Sequence, residues 1–253
     1  MTLLEALAIA LAGLLAGTIN TIVGSGTLIT FPTLLFFGYP PVAANVSNNI
    51  GLVAGGVSGA WGYRHELVGL KRTLLMLLPA SLVGSVTGAL LLLVLPEAAF
   101  ETIVPVLIAI ALLLVVLGPR INRWAARRHT DRMTTGHAVA LLVGVLLAGV
   151  YGGYFGAAQG VLLIGVMSAL LPLHVQQING IKNVLGLMVN VVAAVVFLLV
   201  QPEQVIWPVV GLIAGGAVVG GVIGAKVGRA MPPWLLRTVI VVIGLVAIVV
   251  LVT

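Results

Sequence analysis

Ten apolar stretches follow one another along the chain, separated by short connectors. In the first half they run from Leu3 to Val23, Thr27 to Phe37, Val42 to Trp61, Thr73 to Leu95, and Phe100 to Leu117. In the second they run from Ala138 to Tyr154, Gly160 to Leu171, Val175 to Val200, Val205 to Lys226, and Trp234 to Val252. As helices rising 1.5 Å per residue, eight of them approach or exceed the ~30 Å hydrocarbon core of a bilayer. The other two, Thr27 to Phe37 and Gly160 to Leu171, reach only ~16–18 Å. Lipid offers no partner to a backbone polar group, so each short segment must be re-entrant, broken or shielded inside the protein.

The short segments occupy corresponding places in the two halves, and other residues recur in the same order. LLAG at Leu14 to Gly17 returns at Leu146 to Gly149, and Gly24 then aligns with Gly156. After a two-residue shift Asn45 matches Asn179 and Asn49 matches Asn183. After another, Gly84, Gly88 and Pro96 match Gly220, Gly224 and Pro232. Small residues are common wherever membrane helices touch, but paired asparagines are not, and the pattern reads as an internal duplication. The division is a first repeat over 1–118, a basic loop over 119–137 and a second repeat over 138–253.

Charge orients these segments. Arg64, Lys71 and Arg72 flank one connector, Arg120, Arg123, Arg127, Arg128 and Arg132 fill the middle one, and Lys226, Arg229 and Arg237 surround a third. The intervening connectors hold Glu97, Glu101 and Glu203 and no Lys or Arg. The positive-inside rule places the basic connectors in the cytoplasm and both termini outside. The halves then start on opposite sides, an inverted repeat of about five segments each, which in transporters sets the substrate site where the halves meet. The predicted fold is an all-α polytopic membrane protein of the bacterial inner membrane.

Composition agrees with the pattern. Of 253 residues 61% are hydrophobic and 7% charged, against roughly 25% charged in soluble domains. The net charge of +6 lies in connectors and forms no continuous face, so it reads as topology signal and lipid contact rather than nucleic-acid binding. The absence of cysteine excludes disulfides and thiol chemistry. The stretch MTLLEALAIALAGLLAG lacks a basic start and a cleavage site, and is read as the first membrane segment rather than a signal peptide.

Two constellations carry candidate chemistry. In GTINTIVGSGTLITFP the residues Asn20, Gly24, Ser25, Gly26 and Thr27 interrupt an apolar run. Glycine permits an unwound turn there, and Ser25 or Thr27 is placed to cap the helix that follows. GVYGGYFGAAQG repeats the device, with Gly156 and with Gln159 opposite Thr27. Two helix N-termini with free N–H donors facing each other make an anion site, whereas glycines that serve only close packing do not require short segments. The second constellation is Asn45, Asn48 and Asn49, which share a helix face at i, i+3, i+4, with the counterpart Asn179, Lys182 and Asn183. These side chains serve either as ligand contacts or as interhelical hydrogen bonds. Lys182 has no acidic residue in its own segment, so its ammonium either snorkels to the cytoplasmic face or meets an incoming anion.

Other chemistries fall away. His65, His129, His137 and His174 lie at loops or segment ends, and no carboxylate lies deep in an apolar segment. A membrane serine protease would lack its base, a metal its ligands and a carboxylate proton relay its members. No phosphate-binding loop is present, and neither an enzyme nor a cofactor is implied.

GTINTIVGSGTLITFP with GYPPVAANVSNNIGL in the first half, and GVYGGYFGAAQG with INGIKNVLG in the second, resemble the sulfite exporter TauE/SafE family, also called the toluene-sulfonate uptake permeases. The resemblance covers nearly the whole chain. It implies a secondary transporter of small sulfur-containing anions such as sulfite, sulfonates or sulfoacetate. Many members carry a run of glycines where this chain has Gly24, Ser25, Gly26 and Thr27, and a proline near the place of Ile164. An anion channel would use the same glycine breaks and asparagines without alternating access. A membrane scaffold or sensor would need none of the broken helices.

Overall fold

The computed structural model describes residues 1–127 and 135–227, together with 238, 241, 242 and 245. In chain order the helices are α1 (Leu3–Ile22), α2 (Thr27–Phe36), α3 (Pro41–Gly62), α4 (Lys71–Val94), α5 (Glu97–Arg127), α6 (Thr135–Tyr154), α7 (Gln159–Leu170), α8 (Val175–Val200) and α9 (Trp207–Val227), with 3₁₀ turns at Arg64–Leu67 and Pro202–Gln204. Most of the tenth segment, and Arg128, His129, Arg132, Arg229, Pro232 and Arg237, lie outside the described residues.

The elements begin where local chemistry allows. Thr2 and Glu5 form a reciprocal capping box, the Glu5 N–H donating to Thr2 Oγ1 at 3.2 Å and the Thr2 N–H to Glu5 Oε2 at 3.0 Å. Pro41 opens α3 at a position where a missing N–H costs nothing. Along α1 the exposed Leu4, Leu7, Leu11 and Leu15 form one stripe, while Ile9, Ala12, Gly13, Ala16 and Gly17 are buried on the other face. A lipid-facing leucine row and a small-residue contact row are what a membrane solvent selects.

Six helices among the described residues are long and apolar enough to cross a membrane. α3 has comparable length, but Asn45, Asn48 and Asn49 lower its hydropathy, and Val42 through Asn49 are buried without interruption. The polar residues of α3 thus face protein rather than lipid. The expected loop over 119–137 is corrected at its start. Helix α5 continues past Leu117 to Arg127, so Arg120, Arg123 and Arg127 lie on a helix, and Arg and Ala are strong helix formers.

Element boundaries repeat between the halves. The ends of α1 and α6 (Ile22, Tyr154) are 132 residues apart, as are the starts of α2 and α7 (Thr27, Gln159). The starts of α3 and α8 (Pro41, Val175) are 134 apart, and those of α4 and α9 (Lys71, Trp207) 136 apart. Packing is reciprocal as well: α1 lies on α9 as α6 lies on α4, α3 on α9 as α8 on α4, and α3 meets α8 at the centre. Equivalent elements exchange roles across the interface, the pattern of an isologous pairing.

Hydrogen bonds between elements fix which helix ends lie together. The Tyr39 hydroxyl, after α2, donates to the Glu5 carboxylate near the start of α1, so α2 turns back along α1 and the pair is a hairpin. Burial and the Glu5 carboxylate push the Tyr39 phenol up to about 12, which keeps it a donor. Gln201 Nε2 donates to Leu93 O at 3.5 Å, and the Ile206 N–H to Ser47 Oγ at 2.9 Å, at the same end of the bundle. At the other end Asn179 Nδ2 donates to Tyr63 Oη at 2.9 Å, and Gly62 lies against Ala225. That second end carries Arg64, Lys71, Arg72 and Lys226. Glu5 and Glu203 lie at the first.

The crossings of α1 with α9 and of α4 with α6 are backbone to backbone. A Cβ at Gly220 would lie 2.0 Å from Leu14 O, and one at Gly88 would lie 2.0 Å from Val150 O. Even alanine forces these helices apart, whereas a Cβ at Gly211 would meet nothing within 4 Å. Gly220→Ala and Gly88→Ala are each expected to destabilise the detergent-solubilised protein by about 1–3 kcal/mol, with Gly211→Ala neutral or mildly stabilising. Thermal melts of the three variants check this. Equal midpoints for all three would show that the crossings tolerate separation.

Candidate functional site

The two helix breaks are built in the same way. Where α1 ends, the N–H groups of Val23 and Gly24 both donate to Ile19 O, at 2.7 and 3.1 Å, and Gly24 adopts φ +84°. Where α6 ends, those of Phe155 and Gly156 both donate to Tyr151 O, each at 2.9 Å, and Gly156 adopts φ +75°. This left-handed conformation is open to glycine and strained for other residues. The chain then restarts as α2 at Thr27 and as α7 at Gln159.

The expected side-chain caps are corrected here. Gly26 is the N-cap of α2 and no side chain caps the helix, its first turn being closed by the Leu28 N–H to Ser25 O and the Ile29 N–H to Gly26 O. Ser25 Oγ is fully buried without a partner. The Thr27 hydroxyl instead accepts from Asn48 Nδ2 at 3.2 Å, and the Thr30 hydroxyl donates to Asn48 Oδ1. Gly26 lies against α1, where a Cβ would be 2.5 Å from Ala16 O. At the second restart the Gly160 N–H donates to Gly24 O at 3.1 Å, so one break is bonded directly to the other.

A helix leaves its last four carbonyls without internal partners. At the end of α1, Lys182 Nζ donates to Asn20 O at 3.0 Å and Thr21 O at 2.9 Å, and Asn183 Nδ2 donates to Thr21 O at 3.1 Å. At the end of α6, Asn45 Nδ2 donates to Tyr154 O at 2.9 Å. The third helix of each half therefore serves the broken helix of the other. Lys182 is 2% exposed, and it lies at the negative end of the α1 dipole rather than snorkelling. Two of its three ammonium donors are engaged.

The remaining asparagines join α3 to α8. Asn49 Nδ2 donates to Asn190 Oδ1 at 3.3 Å, and Asn179 contacts Tyr63. Between these bridges lies a cavity with about 470 Å³ of empty space, its mouth included. Asn20, Gly24, Thr27, Gly156, Gln159, Lys182 and Asn183 line it. Ser25, Gly26, Asn45, Asn48, Asn49 and Asn179 do not. The Gln159 amide packs against Gly152, where a Cβ would lie 2.4 Å from its Cδ, and Nε2 is buried without a partner.

The lining also includes Thr21, Gly160, Gly186 and Asn190. Asn190 follows Lys182 by two helical turns, so the face that carries Lys182 and Gly186 carries it too. That spacing is visible in the sequence, but the mirrored asparagine triads draw attention away from it.

Membrane-length helices around a polar cavity at two broken helices define a polytopic membrane transporter. The chain belongs to the sulfite exporter TauE/SafE family, whose profile matches residues 9–251. A "Probable membrane transporter protein" of Haemophilus influenzae is 27% identical over 91% of this chain and 88% of its own length. The "Probable membrane transporter protein YfcA" of Escherichia coli K12 is 27% identical over 91% and 83%, and the "Probable membrane transporter protein ORF9" of a Sinorhizobium species is 32% identical over 92% and 87%. No solved structure matches the chain.

The two glycines at the breaks differ in surroundings. A Cβ at Gly24 would lie 2.3 Å from Gly160 Cα, whereas one at Gly156, which lines the cavity, would meet Gly152, nearest its O at 3.0 Å. Both alanine variants incur the left-handed penalty of about 1–2 kcal/mol. Gly24→Ala is expected to lose a further ~1–3 kcal/mol from overpacking, and Gly156→Ala to lose transport with a smaller loss of stability. Melts and flux measured side by side test the distinction. A larger stability loss in Gly156→Ala would overturn it.

Proposed function

We propose that this chain is a secondary transporter of small organic or inorganic anions, sulfur-containing ones such as sulfite, sulfonates or sulfoacetate-like compounds, working by alternating access between two inverted repeats, 1–118 and 138–253, in the bacterial inner membrane. The observation that carries the proposal is the donor set at the cavity. Lys182 is buried with two donors committed to α1 carbonyls, and Gln159 Nε2 is buried with no protein partner. A buried donor is costly unless a ligand takes it, and beside a buried ammonium an anionic acceptor supplies most. The family's name supports a sulfur oxyanion as cargo. Reciprocal packing and repeated boundaries support the two-repeat reading, since equivalent helices can exchange roles between the two states of a rocking transporter.

Gln159→Glu is expected to abolish anion binding while the protein still folds, because the change is isosteric and the lost donor has no protein partner. Lys182→Met is expected to weaken binding at least about tenfold, the scale of one charge-assisted hydrogen bond, and to loosen the end of α1. Lys182→Arg is expected to retain part of the affinity with altered selectivity. Thermal shift with sulfite and methanesulfonate, followed by flux in proteoliposomes, reads all three. Unchanged binding and flux in folded Gln159→Glu and Lys182→Met would end the anion-site reading, and flux without saturation would select a channel.

The basic ends of the helices support cytoplasmic placement, with both termini outside. Single cysteines at Thr2, Arg127 and Glu203 are expected to react with an impermeant reagent in intact cells at the first and third positions only. Labelling of Arg127→Cys would invert the orientation.

A further inference from the structure

The cavity is polar at one turn of α8 and apolar at the next. Lys182 and Asn183 face it first, Gly186 and Leu187 follow one turn later, and Asn190 comes after a second turn. Leu52 of α3 stands beside this middle layer, between Asn49, which bonds Asn190, and Gly56, which packs on Leu187. Gly186 differs from the other glycines of the site. A Cβ at Gly24 or Gly160 would strike backbone, and one at Gly56 would lie 3.1 Å from the Leu187 side chain, but a Cβ at Gly186 would meet nothing within 4 Å. Its backbone is ordinary α-helix, so neither conformation nor packing calls for glycine there. The space beside it is the cavity itself.

We propose that Gly186 is a specificity-determining position that sets the size limit of the substrate: with the anionic group held at Lys182 and Gln159, the organic remainder lies across α8 at Gly186, against Leu52 and Leu187. The inference rests on the anion-site reading above. An inorganic oxyanion ends at the polar layer. A substituted anion continues into the apolar one, where each added methylene strengthens binding by up to about fourfold while room lasts. A side chain at 186 takes that room without touching the donors.

The test uses the full-length protein in proteoliposomes with sulfite, methanesulfonate, ethanesulfonate and butanesulfonate as competing probes. Gly186→Ala is expected to fold as the wild type does, because its Cβ enters open space, and to bind sulfite as the wild type does while losing affinity for butanesulfonate. Gly186→Val is expected to extend the loss to ethanesulfonate, with at least about tenfold discrimination against the longest probe, the scale of one misplaced methylene in a pocket. An unchanged ratio of butanesulfonate to sulfite affinity in a folded Gly186→Ala, or equal weakening for every probe, overturns the assignment of Gly186 and leaves the anion site standing. If the wild type binds none of the probes saturably, the anion-site reading fails, and this inference fails with it.

Discussion

The unsatisfied carbonyls at the ends of α1 and α6 are the constraint on which the structure depends. In water a helix that stops early is capped by solvent, but inside a bilayer each orphan carbonyl must find a donor in the protein. Here the donors come from the other half: Lys182 and Asn183 of α8 for α1, and Asn45 of α3 for α6. Each half closes only part of its own break, through Ile19 O and Tyr151 O. The halves are therefore bound by polar demand as well as by the glycine crossings of α1 with α9 and α4 with α6, and in lipid, where no hydrophobic force drives helices together, both kinds of contact matter.

Repetition of the backbone does not extend to the chemistry. At the position equivalent to Lys182 the first half carries Asn48, whose amide is spent on Thr27 and Thr30. Gln159 stands where the first half has Thr27, and its amide nitrogen is buried without a protein partner. Asn48 thus holds a short helix of its own half in place, whereas Lys182 reaches the broken helix of the other half and lines the cavity as well. The two breaks allow this difference, because backbone geometry is held at each by a glycine and by carbonyl partners while the remaining side chains are free to differ.

Helix-forming periods, the two short segments and the glycines at 24 and 156 were legible in the sequence because each is a local requirement. Segment length compares directly with bilayer thickness, and a left-handed turn selects glycine wherever it occurs. Starts at Thr27 and Val175 follow from the same local rules. The extension of α5 to Arg127 was not legible, since basic residues mark a connector by charge and favour a helix by propensity, and the helix prevailed.

By itself the sequence determined the membrane class and the set of polar residues kept out of lipid, because hydropathy and spacing are properties of the chain. Only the tertiary structure decided what each polar residue does. Asn45, Asn48, Asn49 and Asn179 form one recurring pattern on paper but take four different partners: Tyr154 O, the Thr27–Thr30 pair, Asn190 and Tyr63. Asn190 and Gly186 join the cavity because α3 and α8 cross there. Asn48 finds its partners on the neighbouring short helix, but the other three depend on an acceptor that the opposite half brings within about 3 Å, more than a hundred residues away in the chain.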